Sequence, residues 1–374
     1  MLIPAALCVV VIRLINRWYL IRIGVLHSER IGHLAGNTEI FLSERDIGMH
    51  KQGRFGGLDI WLHSGVPCNR QLDRMIGRSL FIDRSGFSRL ILLVNGQFHG
   101  WERYFAHSDN FDRDINNAME KTSQHILFTD AEIEKGYAQL AAWGLARSDK
   151  WVCLIVRDSA YLPSLTYHNY RDTKIETYRK AALLLADRGY HVFRMGAAVN
   201  KPLGIEHPMI ADYATNGMRS DFMDIFLTAH CIFAVSTGTG LDAIPSIFRR
   251  PICFVNYVPF EFLNTWVRGI AIWKHHWKNG KRMVPEQICN GFVGQFMRDD
   301  EFKKARVTLR DNTPDEVADA VSEMADYVEA GCKPKKQINF WRSFPSGTIV
   351  AHNGKLLHGK IRLRIGSKFM EAYT

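Results

Sequence analysis

Arginines and small polar residues follow three apolar segments in the second half of the sequence. Arg157 and Asp158 follow residues 151–156, and Arg194 and Gly196 follow residues 190–193. The third segment, 231–235, is followed by a loop of small residues: Ser236, Thr237, Gly238, Thr239 and Gly240. Because the carboxyl ends of parallel strands lie side by side, we expect these residues at one edge of a sheet. Guanidinium groups and loop N–H groups both bind phosphate oxygens, so the pattern predicts a diphosphate site.

The loop at 236–240 is expected to lead into a helix that starts at Leu241, followed by a strand at 252–255. Asp242 falls in the first turn of this helix, where it would either accept a hydrogen bond from a ribose hydroxyl or stabilise the helix dipole. Before the loop, Ser220 or Asp221 is expected to cap a helix that starts at residue 222. Asp224 is then predicted on the solvent-facing side of that helix.

A general base for such a site has two main candidates in the first half of the chain. His33 and Glu39 come after the first apolar segment, residues 20–26, and either could deprotonate an acceptor hydroxyl. The plainer interpretation is a loop histidine and a helix-surface glutamate. Glu102 and Asp109, in an aromatic stretch, are further candidates of lower weight.

Several common chemistries lack their motifs. No G-x-G-x-x-G follows the first strand, no Walker lysine follows the glycine loop, and no G-x-S-x-G occurs, which disfavours dinucleotide enzymes, ATPases and α/β-hydrolases. The D-x-D spacing at 112–114 is not at the end of an apolar strand and is interpreted as a chance match. The histidines lack metal-ligand spacing, so neither a metal nor a cofactor is expected.

The order of the predicted elements indicates two α/β domains with parallel sheets, residues 1–148 and 149–374, and a ligand cleft between such domains is the usual expectation. The C-terminal tail is expected to pack either in its own domain or back on the first. The predicted strands are 20–26, 60–62, 90–94, 151–156, 190–193, 231–235 and 252–255. The predicted helices include 131–144, 178–188, 222–229 and one from Thr313 to about 330.

Composition and charge suggest a globular protein with an acidic partner. The 374 residues are 47% hydrophobic and carry a formal net charge of +10. Phosphorylated small molecules or an anionic membrane face would suit that charge, whereas no basic run of the nucleic-acid-binding type occurs, so no nucleic acid is expected. The seven cysteines include no C-x-x-C pair, which favours free thiols in a reducing cytoplasm.

The N-terminal residues 1–22 leave two interpretations open. Their apolar run is too short to span a bilayer and has no charged segment before it, so neither a membrane span nor a secretory signal is expected. Arg13, Arg17 and Arg22, with Trp18 and Tyr19 between them, suit a helix lying on the inner face of a membrane. A helix packed on its own domain fits equally well.

Two longer motifs resemble a known family. The segments RSDFMDIFL at 219–227 and STGTGLDAIP at 236–245 resemble bacterial glycosyltransferases found with surface-polysaccharide genes. The likeness extends over roughly residues 20–370 and includes the segments 30–39, 157–161, 168–171, 194–196 and 249–251. More distantly, the arrangement is similar to metal-independent fucosyltransferases of the GT-B class.

This resemblance implies a GT-B fold of two Rossmann-like domains whose C-terminal domain holds a nucleotide-sugar donor. It implies that Arg157, Arg194 and the loop 236–240 face the diphosphate, and it assigns to the donor site Asp158, Arg171, Gly196, Asp212, Arg219, Ser220, Asp221 and Asp242. The doubled arginine of the fucosyltransferases is absent at Arg157, so a GDP-fucose donor does not follow. We expect a metal-independent transferase that uses a UDP, GDP or CMP sugar to build a capsule, lipopolysaccharide or lipid-linked glycan. The alternative is a non-catalytic nucleotide- or glycan-binding module of a carbohydrate assembly complex.

Overall fold

The chain divides into two compact units in the computed structural model. The units are Met1–Thr129 and Asp130–Thr374. The structure describes residues 2–107, 113–160, 164, 166–332 and 356–373. The boundary lies before the helix that the sequence interpretation assigned to the first domain.

The first unit contains a parallel sheet of four strands in the order β3-β2-β1-β4. The long strands β1 and β2 run in register, with Ile23 beside Ile60. The strands are β1 (Leu20–Leu26), β2 (Gly57–His63), β3 (Phe81–Ile82) and β4 (Phe105–Ala106). The helices are α1 (Leu2–Ile15), α2 (Ile31–Asp46), α3 (Arg70–Ile76), α4 (Phe87–Asn95), α5 (Ala118–Lys121) and the 3-10 turn Trp101–Tyr104.

One core cluster of this unit joins α1 and α4 to the sheet. It contains Ala5 and Val9 of α1, Ile91 of α4, and Ile23 and Leu62 of the strands. Helix α1 therefore packs on its own unit, as one of the two interpretations of residues 1–22 expected. Its opposite side is apolar and exposed, with Leu2, Ile3, Leu7, Val10, Val11 and Leu14 all more than half exposed.

The predicted strand at 90–94 is wrong, because these residues form part of helix α4. The buried residues of that helix are Ser88, Ile91 and Asn95, spaced three and four apart as one helical face requires. Leu93 is exposed on the other side. A run of five apolar residues fits a buried strand and a helix equally well, so periodicity alone could not decide between them.

The second unit is built on seven parallel strands in the order β14-β10-β9-β8-β5-β6-β7. These strands are β5 (Trp151–Ile155), β6 (His191–Met195), β7 (Ile210–Ala211), β8 (Phe233–Ser236), β9 (Ile252–Tyr257), β10 (Gly269–Trp273) and β14 (Leu363–Ile365). A separate three-stranded antiparallel sheet contains β11 (His275–Lys278), β12 (Lys281–Arg282) and β13 (Val307–Arg310).

The helices of this unit connect the parallel strands and flank them. They are α6 (Asp130–Ala142), α7 (Arg179–Asp187), α8 (Asp221–His230), α9 (Ala243–Ile247), α10 (Pro285–Asn290), α11 (Asp299–Lys304), α12 (Pro314–Glu329) and α13 (Ser367–Glu371). The 3-10 turns are Thr166–Arg171, Ile175–Tyr178, Gly240–Asp242, Phe260–Phe262 and Val293–Gln295.

Burial explains why the central strands could be found from sequence. Every residue of β5, β8, β9 and β10 is buried, so these strands appear as continuous apolar runs, as is typical of parallel sheets covered on both faces. The predicted strands at 151–156, 190–193, 231–235 and 252–255 correspond to β5, β6, β8 and β9. Helix α12 begins after the predicted Thr313, which forms a capping box with Glu316: the side chain of each residue accepts a hydrogen bond from the backbone N–H of the other.

Helix α6 belongs to the second unit because it packs tightly on α8. A Cβ atom at Gly136 would lie 2.1 Å from the Phe226 ring, so only glycine allows this approach. The ring of Tyr137 also meets Phe226 edge-on, with centroids 5.5 Å apart.

The described part of the C-terminal tail extends the sheet of the second unit. Strand β14 pairs in parallel with β10, with Ile270 beside Arg364. These residues therefore do not support the alternative that the tail packs back on the first domain.

Candidate functional site

The polar residues that follow the central strands of the second unit converge at the carboxyl edge of its sheet. Ile155 at the end of β5 lies beside both Met195 of β6 and Ser236 of β8. Ser236 in turn lies beside Phe254 of β9. The segments that begin at Arg157 and at Ser236 therefore leave adjacent strands, as the sequence interpretation expected.

The loop 236–240 satisfies most of its own hydrogen-bonding groups. The Ser236 hydroxyl donates to the Asp242 carboxylate over 2.7 Å, and the N–H of Thr239 donates to the same carboxylate over 2.8 Å. The N–H of Gly238 donates to the Ser236 hydroxyl, and that of Thr237 to a carbonyl of β5. These three loop N–H groups are therefore occupied, and a cradle in which they all bind phosphate does not fit this geometry.

Asp242 holds this loop closed. It is 5% exposed and forms a capping box with Thr239. One carboxylate oxygen of Asp242 accepts from both Ser236 and Thr239, and the residue lies in the first turn, as expected. A contact with a ribose hydroxyl stays a prediction.

Gly238 is required by packing at this edge. Its φ angle is +77°, and a Cβ atom there would lie 2.6 Å from the ring of Tyr257 at the end of β9. The Tyr257 hydroxyl donates to the carbonyl of Phe262 over 2.8 Å, which fixes the ring. Gly240, at the other end of the loop, is exposed.

Two arginines flank the loop, and we call Arg157 and Arg171 the arginine pair. The backbone N–H of Arg157 donates to the Thr237 hydroxyl over 3.0 Å. The guanidinium of Arg171 donates to the carbonyl of Gly238. Burial lowers the pKa of Arg157, and the nearby charge of Arg171 lowers it further. The two guanidiniums thus lie close enough to repel each other.

The negative charge beside the arginine pair is limited. The Nε atom of Arg157 lies 3.4 Å from an Asp172 carboxylate oxygen. Burial raises the pKa of Asp172, and the charges of Arg157 and Lys274 oppose this shift. Lys274 is 3% exposed, donates to the Asp172 carbonyl and pairs with Asp311 over 2.9 Å. Lys274 and Asp311 balance each other, so within the described residues the two guanidiniums of the arginine pair share one ion-paired carboxylate, that of Asp172.

Asp158, although it follows Arg157, has a structural role. Its carboxylate oxygens accept hydrogen bonds from the N–H groups of Ala160 at 2.9 Å and Asn200 at 3.0 Å. These contacts join the loops after β5 and β6.

Arg194 requires a correction. It is 1% exposed, and it donates to the Asp212 carboxylate and to the carbonyl of Lys201, each over 3.2 Å. Asp212 also accepts from the N–H of Leu203 over 2.7 Å. The ion pair between Arg194 and Asp212 therefore stabilises the loop after β6, and neither side chain is available to a diphosphate. Gly196 is closely packed in the same loop, since a Cβ atom there would lie 2.7 Å from Val199.

The RSD motif also stabilises the fold. Ser220, one of the two predicted caps, caps α8 by accepting the N–H of Met223, and the helix begins at Asp221, one residue earlier than predicted. Arg219 pairs with Asp224 over 2.7 Å. Asp224 is 6% exposed, so its predicted solvent-facing position is wrong. Burial raises the pKa of Asp224 to about 6 despite this arginine.

In the first unit, Glu39 is a poor candidate for the base. It is fully buried in α2 and accepts from the backbone N–H of His125 over 3.2 Å. The hydrogen bond to Glu39 raises the pKa of His125. Glu39 thus anchors the segment that contains His125 and is not a helix-surface residue either.

His33 is half-buried in the first turn of α2, at the carboxyl end of β1. Its ring lies 5.8 Å from that of His27, centroid to centroid. His27 is exposed and directly follows β1, so it is a candidate that the sequence interpretation missed. A histidine immediately after the last strand residue was the signal that could have identified it.

The lower-weight candidates fall outside this arrangement. Glu102 is exposed on the turn Trp101–Tyr104, and Asp109 lies outside the described residues. Asp114 is buried and accepts from the N–H groups of Ala118 and Met119, at 2.7 and 3.0 Å, whereas Asp112 lies outside the described residues. Within the described ranges no cluster of ligand side chains could hold a metal ion. Across the same ranges, no helix has the length and apolar character to cross a bilayer.

Another buried carboxyl group lies beyond β9. Glu261 is 3% exposed, and one of its oxygens accepts from Gln295 over 2.7 Å. Its other carboxylate oxygen is buried, and no hydrogen bond to it occurs within the described part of the chain. Burial raises the pKa of Glu261 to about 7.

Comparison with known proteins supports the fold. No protein-family model matches the sequence, and no curated protein does. A solved glycosyl transferase family 9 protein from Veillonella parvula is similar with a TM-score of 0.50 at 9% identity, over 82% of this chain and 98% of that one. The ADP-heptose lipopolysaccharide heptosyltransferase II of E. coli has a TM-score of 0.42 at 14% identity, over 84% and 100% of the two chains.

The similarity to the family 9 protein confirms the predicted fold class. This chain has the GT-B-like fold, with two α/β units that each contain a parallel sheet. The closer likeness to surface-polysaccharide glycosyltransferases and to fucosyltransferases stays a prediction.

We expect Glu261→Gln to make protein stability less dependent on pH. The folded pKa of Glu261 is about 7, above its ordinary value of 4.5, so the folded state holds a proton between those values. The stabilisation from this proton is present below pH 4.5 and is lost as the pH rises through 7. The stability of the variant relative to the wild type should therefore rise between pH 4.5 and 8, by roughly 3 kcal/mol at 1.4 kcal/mol per pKa unit.

Urea midpoints at several pH values measure this difference. Glu286→Gln is the matched control, because Glu286 is exposed on the nearby α10 and the substitution removes the same charge. Parallel pH profiles for wild type and Glu261→Gln would contradict the assignment of a raised pKa.

Proposed function

We propose that this protein is a glycosyltransferase that moves a sugar from a nucleotide donor to a surface polysaccharide or a lipid-linked glycan. The observation that carries the proposal is the arginine pair at the carboxyl edge of the second unit's sheet. Open α/β sheets bind ligands at this edge, and the pair is held there by contacts with Thr237 and Gly238. The GT-B-like fold supports the same reaction class.

The donor's leaving group is a nucleoside diphosphate or monophosphate, which gains negative charge as the glycosidic bond breaks. Arg157 and Arg171 would neutralise that charge in a partly buried environment, where such interactions are strong. Lys274, which is balanced by Asp311, donates to the backbone carbonyl of Asp172 and would fix the position of the carboxylate that pairs with Arg157. These cations would perform the role that a divalent ion has in other transferases, so we propose a metal-independent reaction.

The loop 236–240 would position the arginine pair and approach the donor through its exposed end. Ser236 and Asp242 keep the loop in one conformation, so Gly238 presents its carbonyl to Arg171 without rearrangement. Gly240 has no side chain to keep the donor at a distance. We therefore propose that the fixed geometry of this loop lowers the free-energy cost of ordering the donor site.

Replacing either member of the arginine pair should weaken nucleotide binding. We expect Arg157→Gln and Arg171→Gln each to lower the affinity for the nucleotide that the wild type binds, whether UDP, GDP or CMP. The expected loss is about 10- to 100-fold, since a charged hydrogen bond contributes about 1.5–3 kcal/mol. Calorimetry with the three nucleotides measures the affinities. Arg188→Gln is the matched control, because its guanidinium pairs with Asp326 and Glu329 on α12.

Normal nucleotide binding by both variants would rule out the arginine pair as the donor site. Nucleotide release from a panel of sugar nucleotides tests catalysis in the same preparation. Binding that depends on the arginine pair, with neither hydrolysis nor transfer, would instead favour a non-catalytic nucleotide-binding module.

We propose that His33 deprotonates the acceptor hydroxyl. A neutral imidazole is a suitable base near pH 7. His33 lies at the start of α2 and at the carboxyl end of β1, the edge where an α/β unit binds its ligand. His27 beside it would orient the ring or the acceptor.

His33→Asn should lower kcat by about 100-fold or more, because general-base catalysis contributes about 10²–10⁴. Donor affinity should remain unchanged, which separates a catalytic effect from misfolding. His99→Asn is the control, since the His99 side chain is exposed and the hydrogen bond from Arg13 ends on the backbone carbonyl, which the substitution keeps. A kcat for His33→Asn within about threefold of the wild type would exclude His33 as the base.

We also propose that α1 lies on a membrane surface. Its inner side packs through Ala5 and Val9, whereas the outer side exposes aliphatic residues along the whole helix. Trp18 is exposed just after the helix, next to Arg17. Aromatic and basic residues beside an apolar helical face are typical of interfacial helices, and this location would suit a lipid-linked acceptor.

Leu7→Glu combined with Val11→Glu should abolish binding to phospholipid vesicles, because both side chains are more than half exposed on this face. Vesicle flotation measures the bound fraction, and unchanged nucleotide affinity shows that the second unit is intact. Glu120→Gln with Glu102→Gln controls for changes at exposed acidic residues elsewhere. Equal flotation of wild type and the Leu7/Val11 variant would exclude α1 as the contact surface.

A further inference from the structure

A basic cavity lies at the amino-terminal edge of the first unit's sheet, and we call it the β1–β2 cavity. Its volume is about 210 Å³, and it is lined by the first residues of β1, β2 and β3. The charged lining residues are Arg22, Arg45, Lys51 and Asp59. This is the opposite edge from the one that carries His27 and His33, so the cavity is distinct from the proposed catalytic site.

The single carboxylate in the lining is already neutralised. Arg22 donates two hydrogen bonds to Asp59, at 2.6 and 2.8 Å, one to each oxygen. This bidentate pair leaves Arg45 and Lys51 as excess positive charges. Arg45 has only a distant contact with Asp46, at 3.9 Å, and in the described part of the chain Lys51 has no carboxylate partner.

The charges of the cavity also act on the neighbouring His50, which lies 3.7 Å from a carboxylate oxygen of Glu44. Burial lowers the pKa of His50, and the charges of Arg22 and Arg45 lower it further, against the opposing effect of Asp59. The polar side chains Gln52 and Ser79 complete the lining with additional hydrogen-bonding groups. The cavity thus combines two excess cations with donors around a space large enough for a phosphate group and a few waters, at about 30 Å³ per water.

The cavity adjoins an exposed aromatic surface. The backbone N–H of Leu20, at the cavity rim, donates to the carbonyl of Gly56. This hydrogen bond joins the turn 53–56 to β1. The same turn is joined to the end of α1, because Phe55 donates to the carbonyl of Trp18 over 2.7 Å. Phe55 is 70% exposed and lies under the guanidinium of Arg54.

The turn has a fixed position. A Cβ atom at Gly53 would lie 2.7 Å from the carbonyl oxygen of Trp18, so glycine allows the turn to pack directly on the chain after α1. The aromatic residues Trp18 and Phe55 are thereby held beside the cavity rim. An apolar surface and an anion-binding cavity are consequently adjacent on one rigid unit.

We propose that the β1–β2 cavity binds the phosphate of an anionic lipid headgroup when α1 lies on a membrane. The charge balance favours a terminal phosphomonoester, whose two negative charges match Arg45 and Lys51. Trp18 and Phe55 would insert at headgroup level beside the bound phosphate. This inference rests on the proposed membrane contact of α1 and adds to it a specific headgroup.

The experiment compares three vesicle compositions: phosphatidylcholine alone, phosphatidylcholine with phosphatidylglycerol, and phosphatidylcholine with phosphatidic acid. Phosphatidylglycerol carries a phosphodiester and phosphatidic acid a phosphomonoester. We expect the full-length wild type to bind phosphatidic acid vesicles most tightly at equal mole fraction of the anionic lipid.

Arg45→Gln combined with Lys51→Gln should weaken binding to phosphatidic acid vesicles by about 25-fold, at about fivefold for each basic residue near an anionic surface. The variant should also lose the preference for phosphatidic acid over phosphatidylglycerol and keep its binding to phosphatidylcholine. Arg89→Gln with Lys121→Gln is the matched control, since both residues are exposed on the same unit and the change in net charge is identical. This control should retain the preference for phosphatidic acid.

Three results would overturn the inference. Equal binding of the wild type and the Arg45/Lys51 variant to phosphatidic acid vesicles would exclude the cavity as the headgroup site. Equal losses of binding in the Arg45/Lys51 and Arg89/Lys121 variants would show that only the net charge of the protein matters. The third result combines calorimetry with the vesicle assay. If the wild type binds inorganic phosphate but shows no preference among the vesicles, the ligand of the cavity is a soluble phosphate and not a lipid headgroup. A wild type that binds none of the vesicles would instead refute the membrane contact of α1 itself.

Discussion

The removal of positive charge from water is the constraint that organises the carboxyl edge of the second unit. Buried cations are stable only when carboxylates or carbonyls replace the water they lose. Arg194 meets this requirement with Asp212, and Lys274 meets it with Asp311. The arginine pair is less fully compensated. Among the described residues its one ion pair is that of Arg157 with Asp172, while the charge of Asp158 also acts on Arg157 and Arg171 donates to the Gly238 carbonyl. The difference in compensation separates the arginines that hold the fold from those suited to bind an anion.

The loop 236–240 illustrates the same distinction for backbone groups. Its glycines and hydroxyl residues have the composition of a phosphate cradle, yet Ser236 and Asp242 occupy its donors. The loop instead fixes the position of the arginine pair. The Thr237 hydroxyl accepts from the backbone of Arg157, and the Gly238 carbonyl accepts from the guanidinium of Arg171. In our proposal the donor's charge is met by side chains, and the backbone serves to place them.

Sequence patterns were sufficient for the fold because the central strands are buried on both faces and therefore uniformly apolar. They failed at residues 90–94, where a short apolar run fits a helix and a strand equally well. The hydrogen-bond and ion-pair partners of individual side chains were harder to predict than the helices and strands. Arg194 and Arg157 both follow strands, and only the distance to Asp212 shows that Arg194 is committed elsewhere. Glu39 was misjudged for the same reason, since its contact with His125 spans 86 residues of sequence. Lys274 was missed because β10 was not recognised as a strand.

The pairing of β14 with β10 has a consequence for the chain during its synthesis. Strand β10 is fully buried in the finished sheet, and β14 covers its outer side. Until residues 363–365 have emerged from the ribosome, the backbone of residues 269–273 presents an unpaired, apolar sheet edge. Such edges associate readily with other strands. The nascent chain is therefore open to aggregation for the whole time in which the segment after β10 is translated.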